Sequence, residues 1–192
     1  MKHILYKVIR FIGRPILKLI YKPEVIGKDN ILSNGPLILA GNHTSVLDAA
    51  LMVGIPNRIV HTLAKKELFK TKLGNIFFTS MCCIPVDRTK KDKNATIKAE
   101  EVLKKGNVIG IFPEGTVNKT KDILLPFKYG AVSLAKKTNA FIVPFAITGK
   151  YKLFRKNIKI EYGKPYKIES DDLEIENKKL MKKVEKLIKG GN

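Results

Sequence analysis

The sequence predicts a single α/β domain, on three observations. Its 192 residues amount to about one domain, enough to bury a core without disulfide or metal staples. Short apolar runs of strand length recur between turn residues. Stretches with a helical period alternate with those runs, which is the pattern of an α/β fold. Hydrophobic residues make up 44% of the chain and charged residues 28%, a balance that excludes a wholly disordered polymer. With no Trp, the core aromatics must be Phe and Tyr.

The elements follow in order. Residues 3–20 have a helical period in which Lys7, Arg10, Arg14 and Lys18 fall within an arc of roughly 80°. Ile4, Val8, Phe11, Ile12, Ile16 and Leu19 lie opposite, giving a basic amphipathic helix expected to bend at Pro15. Such a helix suits a membrane interface, with a helix packed on the domain and its lysines in water as the plainer reading. Residues 1–22 are therefore set apart from a domain at 23–192. Leu37–Ala40, behind the turn signal Asn34-Gly35-Pro36, is a buried strand. A helix is expected over Ser45–Met52, a strand over Arg58–Leu63 and helical pieces over Lys66–Phe78. Ile84–Val86 reads as a short strand. Asp92–Lys105 reads as a helix with Ala95, Ala99, Val102 and Leu103 inward and Gly106 as its stop. Val108–Phe112 and Phe141–Ile147 are buried strands around a helix at Ala131–Lys137. Ile158–Tyr162 alternates and is expected as an edge or terminal strand. Asp172–Lys189 is an amphipathic helix, acidic at its start and basic at its end, as the helix dipole favours.

Charge is the outlying property. There are 37 Lys and Arg against 17 Asp and Glu, a net charge of +20, which implies an anionic partner: nucleic acid, an acidic membrane surface, or an acidic protein or phosphorylated substrate. The two cysteines, Cys82 and Cys83, are adjacent, and neither a CxxC pair nor a zinc spacing occurs, so a reducing compartment and no metal site are expected. Cations interrupt every apolar run near the N-terminus, so neither a secretory signal nor a spanning helix is expected.

Three polar clusters follow apolar strands, where loops of α/β folds carry function. In Gly41-Asn42-His43-Thr44-Ser45-Val46-Leu47-Asp48, a turn can bring the His43 imidazole to the Asp48 carboxylate. The Asp would fix the tautomer and leave the other ring nitrogen as general base. The plainer reading is a turn His with Asp48 as a helix-start residue. In Pro85-Val86-Asp87-Arg88, Arg88 suits a bidentate contact with phosphate, although surface Asp-Arg pairs are common. In Phe112-Pro113-Glu114-Gly115-Thr116, Gly115 lets backbone approach a ligand, and Glu114 can accept from a hydroxyl or pair with Arg88.

In combination these blocks are far more specific. His43 with Asp48, then Asp87-Arg88, then Phe112–Thr116, then Ile142-Val143-Pro144-Phe145-Ala146, resemble the four ordered blocks of the glycerolphosphate acyltransferase superfamily. Within it, the blocks closely resemble those of the 1-acyl-sn-glycerol-3-phosphate acyltransferases. Ala64–Phe69 and Pro126–Ala131 add to the likeness, which covers about residues 25–150.

The resemblance implies a central mixed β-sheet flanked by helices, glycerol-3-phosphate acyltransferase-like. It implies transfer of an acyl group from acyl-CoA or acyl carrier protein to the sn-2 hydroxyl of lysophosphatidic acid, forming phosphatidic acid. Another lysophospholipid or acceptor is the alternative. His43 and Asp48 would be catalytic. Arg88 would hold the acceptor phosphate, and Glu114, Gly115 and Thr116 would shape its pocket. No covalent enzyme intermediate, metal or redox cofactor is implied. A peripheral enzyme on the cytoplasmic face of the membrane is expected. The sequence departs from the family at Thr44, where Arg or Gln is usual, at Cys82, where block two usually opens with Gly, and at Val117, where Arg is frequent. Cys82 and Cys83 read as small buried packing residues rather than acyl-carrying thiols. A basic module binding nucleic acid or anionic lipid explains the charge but not the ordered blocks, and no helix-turn-helix, RRM or KH signature is present, so no nucleic acid is expected as a partner.

Overall fold

The computed structural model describes residues 4–89 and 92–190. His3, the first residue of the expected N-terminal helix, lies outside them. The described residues form a seven-stranded sheet of β1 (Glu24–Ile26), β2 (Leu37–Gly41), β3 (Val60–Lys65), β4 (Cys83–Val86), β5 (Val108–Ile111), β6 (Phe141–Gly149) and β7 (Ile158–Tyr162). The spatial order is β1-β7-β6-β2-β5-β3-β4. Five strands are mutually parallel, while β7 is antiparallel to β6 and β1 is parallel to β7, so the sheet is mixed. Strand β2 is buried throughout, because helices cover both faces of the sheet and leave no polar side for alternation.

Strand pleating sends alternate residues to the two faces. Ile38, Ala40, Ile109, Ile111 and Ile142 point into one core with α4 (Lys93–Lys104), α5 (Gly130–Thr138) and α6 (Leu173–Ile188). Leu37, Leu39, Val108, Val143 and Phe145 point into the other, with α1 (Ile4–Tyr21) and α2 (Asp48–Gly54). The short helix α3 (Lys72–Ser80) links β3 to β4. Asp92 and Asp172 cap α4 and α6, accepting from Ala95 N at 3.0 Å and Glu174 N at 2.7 Å.

Two expectations change. The helix expected from Ser45 begins at Asp48, because the Asp48 carboxylate accepts the N–H groups of Thr44 and Ser45 and folds the preceding residues into a turn. Strand β7, expected as an edge or terminal strand, is the last strand in chain order but does not form an edge: it lies inside the sheet, and the three-residue β1 takes that edge. Three residues are too few to show a period.

Helix α1 has three sides rather than two. Tyr6 is fully buried, and its hydroxyl accepts from Val60 N at 3.1 Å. The Arg10 guanidinium donates to the carbonyls of Pro56, Asn57 and Arg58, so this cation holds the helix to the domain. Lys7 and Lys18 are exposed. Ile4, Val8, Phe11, Ile12, Ile16 and Leu19 all face away from the core, Phe11 at 83% exposure. The orientation is thus the reverse of an ordinary packed amphipathic helix. No helix among the described residues is long and apolar enough to cross a membrane.

The carboxyl ends of β2, β3, β4, β5 and β6 lie together, because these strands are parallel. The loops at 42–47, 66–71, 112–129 and 150–157, and residues 87–89 after β4, therefore gather at one end of the sheet, where α/β folds bind ligands.

Candidate active site

The first loop brings an imidazole onto a carboxylate. His43 Nδ1 lies 3.1 Å from Asp48 Oδ2, which also accepts from Thr44 N at 2.6 Å and Ser45 N at 2.7 Å. The Tyr151 hydroxyl donates to Asp48 Oδ1 at 2.7 Å. Asp48 is fully buried, and these donors offset the loss of water around its charge. The His43 side chain keeps 12% exposure against 0% for Asp48, so only the imidazole reaches outward. Its ring stacks on Phe112, with centroids 4.0 Å apart and planes 9° apart. With Nδ1 assigned the proton that faces the carboxylate, Nε2 carries a lone pair and can take a proton.

Neighbouring elements fix this geometry. Gly41 ends β2 just before the loop, and a Cβ there would lie 2.3 Å from the Phe145 carbonyl oxygen. Only Gly allows that approach of β2 to β6. Asn42 then continues the ladder with its side chain, donating to Ile147 O at 2.9 Å and accepting from Ile147 N at 2.7 Å. The buried Glu114 accepts from His43 N at 2.7 Å and from Leu125 N at 2.8 Å. Asn118 N donates to His43 O at 2.7 Å. The loop after β5 thus grips the His43 backbone by both its N–H and its carbonyl.

Glu114 is consequently a positioning residue. Of the two partners open to Glu114 from the sequence, a hydroxyl or Arg88, the structure pairs it with neither: its two oxygens accept from backbone N–H groups. Arg88 is exposed and donates from Nη1 to Gly115 O at 2.9 Å. Gly115 has φ +73°, a left-handed turn conformation that favours Gly. The Lys128 side chain lies along Gly115, where an added Cβ would come within 2.9 Å of Lys128 Nζ. Two cations therefore meet at one turn, next to the residue that holds His43. Thr116 follows, exposed.

A profile of the acyltransferase family matches residues 22–148. The chain belongs to this family. The 1-acyl-sn-glycerol-3-phosphate acyltransferase of Bacillus subtilis (strain 168) is 33% identical over 166 residues, covering 84% of this chain and 82% of that protein. The protein of the same name from Borreliella burgdorferi is 33% identical over 141 residues, 72% of this chain and 56% of that protein. The crystal structure of the 1-acyl-sn-glycerophosphate (LPA) acyltransferase PlsC from Thermotoga maritima superposes with a TM-score of 0.75 at 24% identity, over 97% of this chain and 79% of that one. That likeness shows a shared fold.

In this acyltransferase, Asp87 serves the second block as a tether. It accepts from Lys66 Nζ at 2.6 Å and from Thr89 Oγ1 and N at 2.6 and 3.0 Å. The Lys66 hydrogen bond, with those of Thr89, holds the Asp87 carboxyl far below the ordinary range. Tyr151 and Asn118 were not legible as site residues. Each meets its partner from a distant loop, and only the Ala64–Phe69 and Pro126–Ala131 stretches carried a signal, for Lys66 and Lys128.

The cysteines of the acyltransferase are half-buried rather than buried, and neither forms a disulfide. Burial, then the neighbouring Cys83, pushes the Cys82 thiol up to about 11, so little nucleophilic thiolate is present near neutral pH. Cys82 has φ +57°, a left-handed conformation in which Gly would be relaxed. Cys82→Gly is expected to exceed Cys82→Ala in stability by about 1 kcal/mol, since both lose the sulfur but only Gly removes the left-handed strain. Urea unfolding of the two variants measures the difference, and equal midpoints would refute the strain argument.

Proposed function

We propose that the enzyme transfers an acyl group from an acyl thioester to the sn-2 hydroxyl of 1-acyl-sn-glycerol-3-phosphate, forming phosphatidic acid. The observation that carries this reading is the outward-facing His43 ring, held on the buried Asp48 beside the Arg88–Gly115–Lys128 cluster. His43 Nε2 takes the proton of the acceptor hydroxyl as its oxygen attacks the thioester carbonyl. Asp48 stabilises the imidazolium. The carbon–sulfur bond breaks, and the proton passes from His43 to the departing thiolate of CoA or acyl carrier protein. Arg88 binds the acceptor phosphate, and Gly115 and Thr116 line its place. Relatives named for this acceptor support the assignment. The test is the purified protein with acyl-CoA or acyl carrier protein thioesters and lysolipids of several head groups, followed by mass spectrometry. Transfer to lysophosphatidic acid above the other head groups is expected, and preference for a head group without a terminal phosphate would overturn the acceptor assignment.

The same reading places the enzyme peripherally on the cytoplasmic face of an anionic membrane, with residues 1–22 as its interface element and 23–192 as the catalytic domain. Its support is the outward apolar side of α1 and the net charge of +20. Phe11→Ser with Leu19→Ser should weaken partitioning to anionic vesicles at any salt concentration. Lys7→Gln with Lys18→Gln should weaken it at low salt only, because high salt screens exposed charges. Arg10→Gln should instead lower the melting temperature, since its carbonyl contacts belong to the fold. Unchanged flotation of the Phe11–Leu19 variant with vesicles would sink the interfacial role of α1.

A further inference from the structure

We infer that Tyr151 is a positioning residue that locks the rotation of the Asp48 carboxylate and joins the His43–Asp48 pair to α1. The inference rests on the dyad reading of the site given above. Tyr151 stands in the loop between β6 and β7, 103 positions from Asp48 along the chain. Its hydroxyl donates to Oδ1 at 2.7 Å, whereas Thr44 N, Ser45 N and His43 Nδ1 all face Oδ2. Tyr151 thus fixes the oxygen that the His43 turn leaves unheld. Without it the carboxylate can turn about Cβ–Cγ, and a buried acceptor loses its partner. Burial and the nearby Asp48 charge raise the Tyr151 phenol well above its ordinary range, so it remains a donor wherever the enzyme works.

The same loop is attached to α1 at two points. The Tyr151 ring meets the ring of Tyr21, the last residue of α1, edge to face at 5.3 Å and 88°. Phe154 N donates to Ile20 O. The helix that turns its apolar side outward therefore ends against the residue that holds the catalytic carboxylate. The titratable groups facing Asp48 are His43 from its own loop and Tyr151 from the β6–β7 loop, with Tyr21 of α1 facing Tyr151.

The test uses the purified full chain with an acyl thioester and lysophosphatidic acid. Tyr151→Phe keeps the ring and its packing on Tyr21 but removes the hydroxyl. We expect kcat to fall about tenfold with the acceptor KM nearly unchanged. The acid limb of the rate profile should move to higher pH, because a carboxylate with one donor fewer stabilises the imidazolium more. Replacing Tyr151 with 3-fluorotyrosine, which keeps the fold and strengthens the donor, should move that limb the other way. Tyr21→Ala should lower kcat in the same sense as Tyr151→Phe but less. A Tyr151→Phe enzyme with wild-type kcat, or with a lowered melting temperature but an unmoved pH profile, would overturn the inference. His43→Ala in the same assay separates the two readings. If that variant is dead while Tyr151→Phe behaves as wild type, only the Tyr151 role fails; if it is active, the dyad itself is wrong.

Discussion

His43→Ala is expected to abolish measurable acyl transfer while the protein stays folded. A general base of this kind contributes about 10²–10⁴-fold in rate. The His43 side chain stacks on one neighbour, Phe112, and faces Asp48, so removing it empties little of the core. Asp48 keeps the donors Thr44 N, Ser45 N and Tyr151, so its buried charge is not left bare. Asp48→Asn keeps the shape but loses the charge that stabilises the imidazolium, and should also lose most of kcat. Asp48→Ala is a poorer probe, because it leaves those buried donors without an acceptor and taxes the fold as well. The double variant His43→Ala with Asp48→Asn should be scarcely worse than either single one, because the two groups act as a unit. Single and double variants compared by kcat on one lysophosphatidic acid decide the matter. Near wild-type turnover in His43→Ala, or losses that multiply in the double variant, would contradict the dyad.

Arg88→Ala should raise the KM for the lysophospholipid by about 10–100-fold, with a much smaller change for the acyl donor. Arg88 is exposed, and its contact is the carbonyl of Gly115, so the fold has little to lose. That contact aims the guanidinium at the turn where Lys128 also lies, which is where a phosphate can be met by two cations. Lys128 should retain some acceptor binding in the variant. Arg88→Lys should recover only part of the affinity, since an ammonium lacks the planar fork that grips two oxygens. Initial rates at varied acceptor and fixed donor, and the reverse, separate the effects. A rise in donor KM alone would move Arg88 out of the acceptor site.

The α/β alternation, nearly every strand and helix, and the possibility that His43 reaches Asp48 were legible in the residues alone. These are local properties. Apolar period, turn residues and caps such as Asp92 and Asp172 act within a few positions, and His43 reaches Asp48 across five. The blocks around Arg88 and Glu114 were also visible, as residue types in order. What Glu114 does was decided only in three dimensions. It holds the His43 backbone from 71 positions away instead of meeting Arg88. The sequence placed a stripe of cations on α1 but could not say which side the domain would take. Burial of Tyr6 and the carbonyls of residues 56–58, which capture Arg10, settled that. The same holds for β1 at the sheet edge and for Tyr151 on Asp48. A three-residue strand has no period to detect, and a hydrogen bond spanning 103 positions depends on where the sheet brings two loops, which no short stretch of either loop encodes.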